Sequence, residues 1–200
     1  GTRLAGIVST PATSPRALAL LMHGIPSDMD EWGFYKDMAS VLGHNGIASL
    51  RFDFRTCGKS QPGSLSTLTL SQMINDIESA YWELVRQFGL SIPVYAVGTS
   101  CGGGVTVRWS NVFGRNLART FLMAPVLDYE YEITGRRRAV LDNRLTSLSD
   151  HDQSELTTKG TLNKDIGYGM PMVNEAHIFD AKNELATARQ PITIFQGDAD

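Results

Sequence analysis

Apolar residues are spaced along the chain in two ways. Short solid runs at 4–8, 17–22, 47–52, 94–97 and 119–123, separated by Gly, Pro, Asn and Ser clusters, have the length and flanks of buried strands. Between them lie longer segments with helical spacing. Leu70, Met73, Ile74, Ile77, Tyr81, Leu84, Val85 and Phe88 form one apolar stripe, which predicts an amphipathic helix. Thr69 and Gln72 fit a capping box at its start, and Gly89 supplies the stop. A second helix is predicted over about 34–44, with Phe34, Met38, Val41 and Leu42 toward the sheet and Gly46 ending it. Strands alternating with helices predict an α/β fold, a mostly parallel twisted sheet with helices on both faces.

From 127 to 190 the strand-like runs stop, and a polar stretch at 146–165 appears before 192–195 restores a strand. This divides the chain into a core (1–126 and 191–200) and an insertion (127–190) placed to roof a pocket as a lid. Tyr129, Tyr131, Tyr168, Met170, Met172 and Phe179 offer that insertion either a small core of its own or an apolar pocket lining. Arg136, Arg137 and Arg138 form either a solvated basic patch or a guide for an anionic substrate.

Composition narrows the field. Two hundred residues with 42% hydrophobic content suit one domain with a sizeable core. A net charge of −3 gives no basic excess for nucleic acid or an anionic membrane surface. No apolar run approaches the ~20 residues of a membrane span. The N-terminus lacks the basic start, apolar stretch and cleavage site of a signal peptide, so a cytoplasmic protein is expected, with a segment upstream of Gly1 removed. Cys57 and Cys101 have no metal spacing; both fall near the candidate site below, as free thiols or as a disulfide.

The chemistry centres on Gly98-Thr99-Ser100-Cys101-Gly102, which follows an apolar strand and precedes a helical start. Strand, G-x-S-x-G, helix is the setting of a nucleophile elbow, in which the serine occupies a strained turn at the helix N-terminus. Other glycine-rich readings fail on single residues. Ser100 stands where a dinucleotide fingerprint needs its second glycine, and Asp53 stands where a phosphate loop ending in Gly58-Lys59-Ser60 needs its first. Neither a cofactor nor a metal is implied.

Three further stretches support the elbow. Met22-His23-Gly24-Ile25-Pro26 follows the second apolar run. Arg51-Phe52-Asp53-Phe54-Arg55-Thr56-Cys57-Gly58-Lys59-Ser60 follows the third, with either an ion pair between Asp53 and Arg51 or Arg55, or a solvated arrangement. Gln196-Gly197-Asp198-Ala199-Asp200 follows the last. In this order the four stretches resemble the α/β-hydrolase superfamily, in its esterase, lipase-like and serine-aminopeptidase-like branch. The resemblance implies Ser100 as nucleophile and the backbone N–H groups of Ile25 and Cys101 as oxyanion donors. It implies Gly98 and Gly102 as elbow glycines, and His23 and Gly24 as organisers of the oxyanion loop. Asp200 is the implied triad acid, with Asp198 the second choice. Thr56 and Cys57 replace the Gly-His usual in the middle stretch, a change to the pocket wall.

That fold orders its triad Ser, Asp, His, which places the base after residue 200 of the intact protein, beside a last strand and helix. Of the histidines present, His44 sits at a helix end and His151 in a polar loop, while His177 lies in the insertion and is the one that approaches the pocket if any does. The implied function is a serine hydrolase acting on a small carboxylic ester through an acyl-enzyme. A thioesterase or acyltransferase would use the same groups. A non-catalytic hydrolase-fold binding module is the reading from another class.

Overall fold

The computed structural model describes residues 2–60, 62–115, 117–135 and 168–198. Six strands, β1 (Gly6–Ser9), β2 (Ala17–Met22), β3 (Ile47–Phe52), β4 (Val94–Thr99), β5 (Arg119–Met123) and β6 (Ile192–Phe195), form one sheet in the order β1-β3-β2-β4-β5-β6. Among the described strands only β1 runs antiparallel. The helices are α1 (Phe34–His44), α2 (Leu70–Phe88), α3 (Ser100–Phe113), α4 (Met170–Ala176) and α5 (Ala181–Ala186). The expected α/β sheet with helices on both faces is therefore present, with its first strand two residues later than the hydrophobic run suggests.

Every residue of β2 is buried, because side chains alternate between two covered faces. Leu18, Leu20 and Met22 enter the main core with α2 and α3, whereas Ala19 and Leu21 face α1 with Tyr35 and Val97. The predicted lining of α1 is corrected here. Phe34 and Val41 are exposed, and Tyr35, Met38, Ala39 and Leu42 turn inward. These four keep the i, i+3, i+4, i+7 spacing, and Phe34 and Val41 each sit one residue, about 100°, off that stripe. On the same face, Met38, Leu42, Ile47, Tyr95, Phe121 and Phe195 line an apolar groove of about 380 Å³.

The α2 stripe is buried from Leu70 to Val85, with Phe88 packed at its end. Its capping box is complete. Gln72 N–H donates to Thr69 Oγ1 (3.0 Å), and Thr69 N–H donates to Gln72 Oε1 (3.1 Å). Thr69→Ala is expected to cost about 1 kcal/mol, or a Tm lower by about 2–4 °C; an unchanged thermal melt would show that the cap contributes nothing.

The flanks of the predicted insertion, 127–135 and 168–190, lie against this core. Tyr129, Ile133, Tyr168, Met172, Val173 and Ala176 belong to the main hydrophobic cluster, not to a separate one, whereas Tyr131 and Met170 are exposed. Tyr129 reaches the core because residue 104 of α3 is glycine: a Cβ there would lie 2.6 Å from the Tyr129 hydroxyl. Arg136–Arg138 and the polar segment 146–165 lie outside the described residues.

Candidate active site

Strand register brings the motifs together. Met22 is paired with Phe52 on one side and Gly98 on the other, Thr99 with Met123, and Met123 with Phe195. The loops that follow β2, β3, β4, β5 and β6 therefore leave the sheet along one edge, at the carboxyl ends of parallel strands. The chain turns to β3 on one side of β2 and then crosses to β4 on the other. This is the reversal point where open α/β sheets hold their ligands.

Ser100 is the first residue of α3 and is half-buried, with φ at 51°. A non-glycine residue in the left-handed region costs about 1–2 kcal/mol. Here it turns the side chain out of the sheet at a helix N-terminus, and no described group hydrogen-bonds its hydroxyl. The neighbouring glycines are required for space. A Cβ at 98 would lie 2.7 Å from the Gly103 Cα, and one at 102 would lie 2.3 Å from the His23 carbonyl oxygen. Below the elbow, Tyr35 Oη donates to the Met22 carbonyl (2.9 Å) and accepts from Thr99 Oγ1 (2.7 Å), which joins the ends of β2 and β4. On the far side Tyr129 Oη donates to the Cys101 carbonyl (2.5 Å), and Val126 N–H donates to the Ser100 carbonyl (2.9 Å).

His23 is fully buried, and both ring nitrogens are committed. Nε2 accepts from Phe54 N–H (3.0 Å), so Nδ1 carries the proton and donates to the Gly24 carbonyl (2.6 Å). The ring thus ties the loop after β2 to the loop after β3 and has no lone pair left for a serine proton. Burial, the largest influence, pushes its pKa below the ordinary 6.5. As pH falls through about 6.5 the unfolded chain gains a proton that native His23 refuses, so acid lowers stability by up to ~1.4 kcal/mol per pH unit. Urea unfolding at pH 7.5 and 5.5 should show wild type losing about 1 kcal/mol more than His23→Gln; equal losses would mean that native His23 titrates normally.

Among the described residues Asp53 forms no ion pair. It is buried, and its two oxygens accept from Met29 N–H and Lys59 N–H, each at 2.6 Å. The two arginines that sequence offered it go elsewhere, Arg51 to Asp30 (2.8 Å) and Arg55 to Asp76 (2.6 Å). Arg51 reaches Asp30 in the 26–33 loop and Arg55 reaches Asp76 of α2, while both Asp53 oxygens are taken up by backbone amides.

A residue that sequence reasoning missed stands beside this loop. Glu31, 9% exposed, accepts from Gly24 N–H at 2.7 Å through Oε2. Burial raises its pKa most, opposed by the Gly24 amide and by Ser27. No hydrophobic periodicity or motif marks it. Between the 26–33 loop and the turn after β3, a cleft of about 490 Å³ is lined by Pro26, Ser27, Asp28, Trp32, Cys57 and Leu65. Cys57 and Cys101 are free and buried, and burial pushes both thiols up to about 12, so neither is a thiolate at neutral pH.

The structure brings together His23, Gly24, Ile25, Gly98, Ser100, Cys101 and Gly102. Asp198 is in an exposed turn beyond β6, and Asp200 lies outside the described residues, as does His151. His177 faces Glu130 at the surface (3.3 Å), and His44 bonds the Ser40 carbonyl of its own helix. No described helix is long and apolar enough to cross a membrane.

The family model for serine aminopeptidase, S33, matches residues 13–200. No curated protein matches the chain by sequence. Among solved structures, Est1E from Butyrivibrio proteoclasticus with bound ferulic acid is 20% identical, with 100% of this chain and 77% of that one covered and a TM-score of 0.75. A monoacylglycerol lipase from Paleococcus ferrophilus is 17% identical, with 97% and 76% covered and a TM-score of 0.64. The esterase EaEST from Exiguobacterium antarcticum is 16% identical, with 97% and 76% covered and a TM-score of 0.62.

Proposed function

Since the chain belongs to the serine aminopeptidase S33 family of α/β-hydrolases, we propose that it is a serine hydrolase that cleaves a small carboxylic ester through an acyl-enzyme. The observation that carries this reading is Ser100 at φ 51°, set by Gly98 and Gly102 against the His23-Gly24 loop.

Ser100 Oγ attacks the ester carbonyl carbon, and the carbonyl electron pair moves onto oxygen. The N–H groups of Ile25 and Cys101 hold that oxyanion, the loss of one such donor costing about 3 kcal/mol of barrier. The serine proton passes to a histidine held by Asp200 and then to the departing alcohol; water attacks the acyl-enzyme by the reverse sequence. The cleft beside Pro26 and Trp32 receives part of the substrate, and the 127–190 segment contributes to the choice of acyl or leaving group. Thioester hydrolysis or acyl transfer would use the same steps with a different leaving group or acceptor.

Fluorophosphonate labelling of the intact protein tests the reading. Peptide mapping should find the adduct on Ser100, and a panel of p-nitrophenyl esters and acyl thioesters of graded length then separates substrate classes. An intact protein that takes no label would instead be a binding module on a hydrolase fold.

A further inference from the structure

We propose that Glu31 is a positioning residue for oxyanion binding, its carboxylate directing the Ile25 N–H through the Gly24 backbone. The inference rests on the serine-hydrolase reading and adds to it a residue that the nucleophile, acid and oxyanion donors do not include.

Both polar groups of Gly24 are clamped by side chains. Its N–H donates to Glu31 Oε2 at 2.7 Å, and its carbonyl accepts from His23 Nδ1 at 2.6 Å. The peptide joining Gly24 to Ile25 is trans, so its carbonyl and its N–H point in opposite directions. Holding the oxygen on His23 therefore turns the Ile25 N–H to the other side of the loop. The clamp is also next to the nucleophile. A Cβ built on Gly24 would lie 3.2 Å from Ser100 Cβ and 3.5 Å from Glu31 Oε1, which puts carboxylate, loop and serine around one point.

The arrangement is expensive if stability is its only product. Glu31 and Trp32 have φ of 45° and 59°, and the turn sends one side chain inward while leaving the other 89% exposed. A largely buried carboxylate gives up solvation here for the Gly24 N–H and a Ser27 side-chain hydrogen bond. A fixed donor direction explains that expense, because an oxyanion donor helps only when it is aimed before charge develops.

Three variants of the intact protein separate this role from a turn-forming one. Glu31→Ala removes the acceptor. Glu31→Gly removes it too while relieving the left-handed backbone, and Glu31→Gln keeps an oxygen that accepts from Gly24 N–H. With a p-nitrophenyl ester, Ala and Gly should lower kcat by about 10- to 100-fold, the scale of a misplaced catalytic donor. KM should move less than about threefold by the same logic, since the ground-state carbonyl makes weaker use of the donor. Affinity for an alkyl boronate, which forms a tetrahedral adduct on the serine, should fall in parallel with kcat. Glu31→Gln should recover most of both losses. A Glu31→Gly protein with wild-type kcat and boronate affinity would overturn the proposal, as would Gln behaving like Ala. Wild-type protein that labels on Ser100 while Gly retains full activity would refute the role of Glu31 alone. Wild-type protein that takes no fluorophosphonate would remove the serine-hydrolase reading, and this inference with it.

Discussion

Ser100→Ala is expected to lower kcat by about 10⁵- to 10⁶-fold, the scale seen when a triad nucleophile is removed, with the fold left in place. The separation of the two effects follows from the site. The Ser100 hydroxyl bonds no described group, whereas the backbone around it is held by Val126 N–H on its carbonyl and by the glycines on either side. On the proposed mechanism, losing the oxygen therefore removes the attacking atom and little packing. The residual rate would come from the two oxyanion donors and substrate binding. Fluorophosphonate labelling, ester turnover and a urea titration on the same preparation check this together; turnover that survives the substitution would exclude Ser100 as nucleophile. Ser100→Gly adds a measure of strain. It should be more stable than the alanine variant by about 1 kcal/mol, since glycine occupies φ 51° without the Cβ penalty.

The second large effect is structural. Gly102→Val puts a branched side chain where even a Cβ would lie 2.3 Å from the His23 carbonyl oxygen and 2.7 Å from that of Met22. Both obstacles are backbone, and Met22 is the last residue of a strand buried on both faces. No rotamer relieves such a contact, so α3 must withdraw from β2 or the protein must fail to fold. A loss of more than about 4 kcal/mol is expected, seen as low soluble yield or a Tm lower by more than about 8 °C. Gly102→Ala should show a smaller loss in the same direction and, if it folds, a defect in kcat. A Gly102→Val protein with native stability and turnover would show that the elbow does not approach β2 this closely.

Much of the scaffold was legible in order along the chain. The boundaries of β2, β3, β5, β6 and α2, including its capping box and glycine stop, follow from runs and spacings of apolar residues. These are local signals: side-chain period and cap chemistry act within a few residues. The α1 face shows their limit. Phe34 and Val41 are apolar enough to read as core, yet burial belongs to Tyr35 and Ala39, because the sheet selects the best stripe among several apolar positions. Tyr129, Tyr168 and Met172 likewise read as a lid's own residues, and they join the main core, Tyr129 where Gly104 of α3 leaves room.

The sequence by itself determined the α/β class, the position of the G-x-S-x-G turn and which loops carry the candidate chemistry, since each depends on short-range pattern and on glycines that no other residue replaces. Only the tertiary structure decided what those loops do to one another. Strand register set the ends of β2, β3 and β4 level, so His23 holds Gly24 and Phe54, Asp53 takes backbone amides instead of arginines, and Glu31 reaches Gly24 from seven residues away. Such contacts depend on which groups meet at the sheet edge, and no periodicity in the chain encodes a meeting between residues that lie in loops.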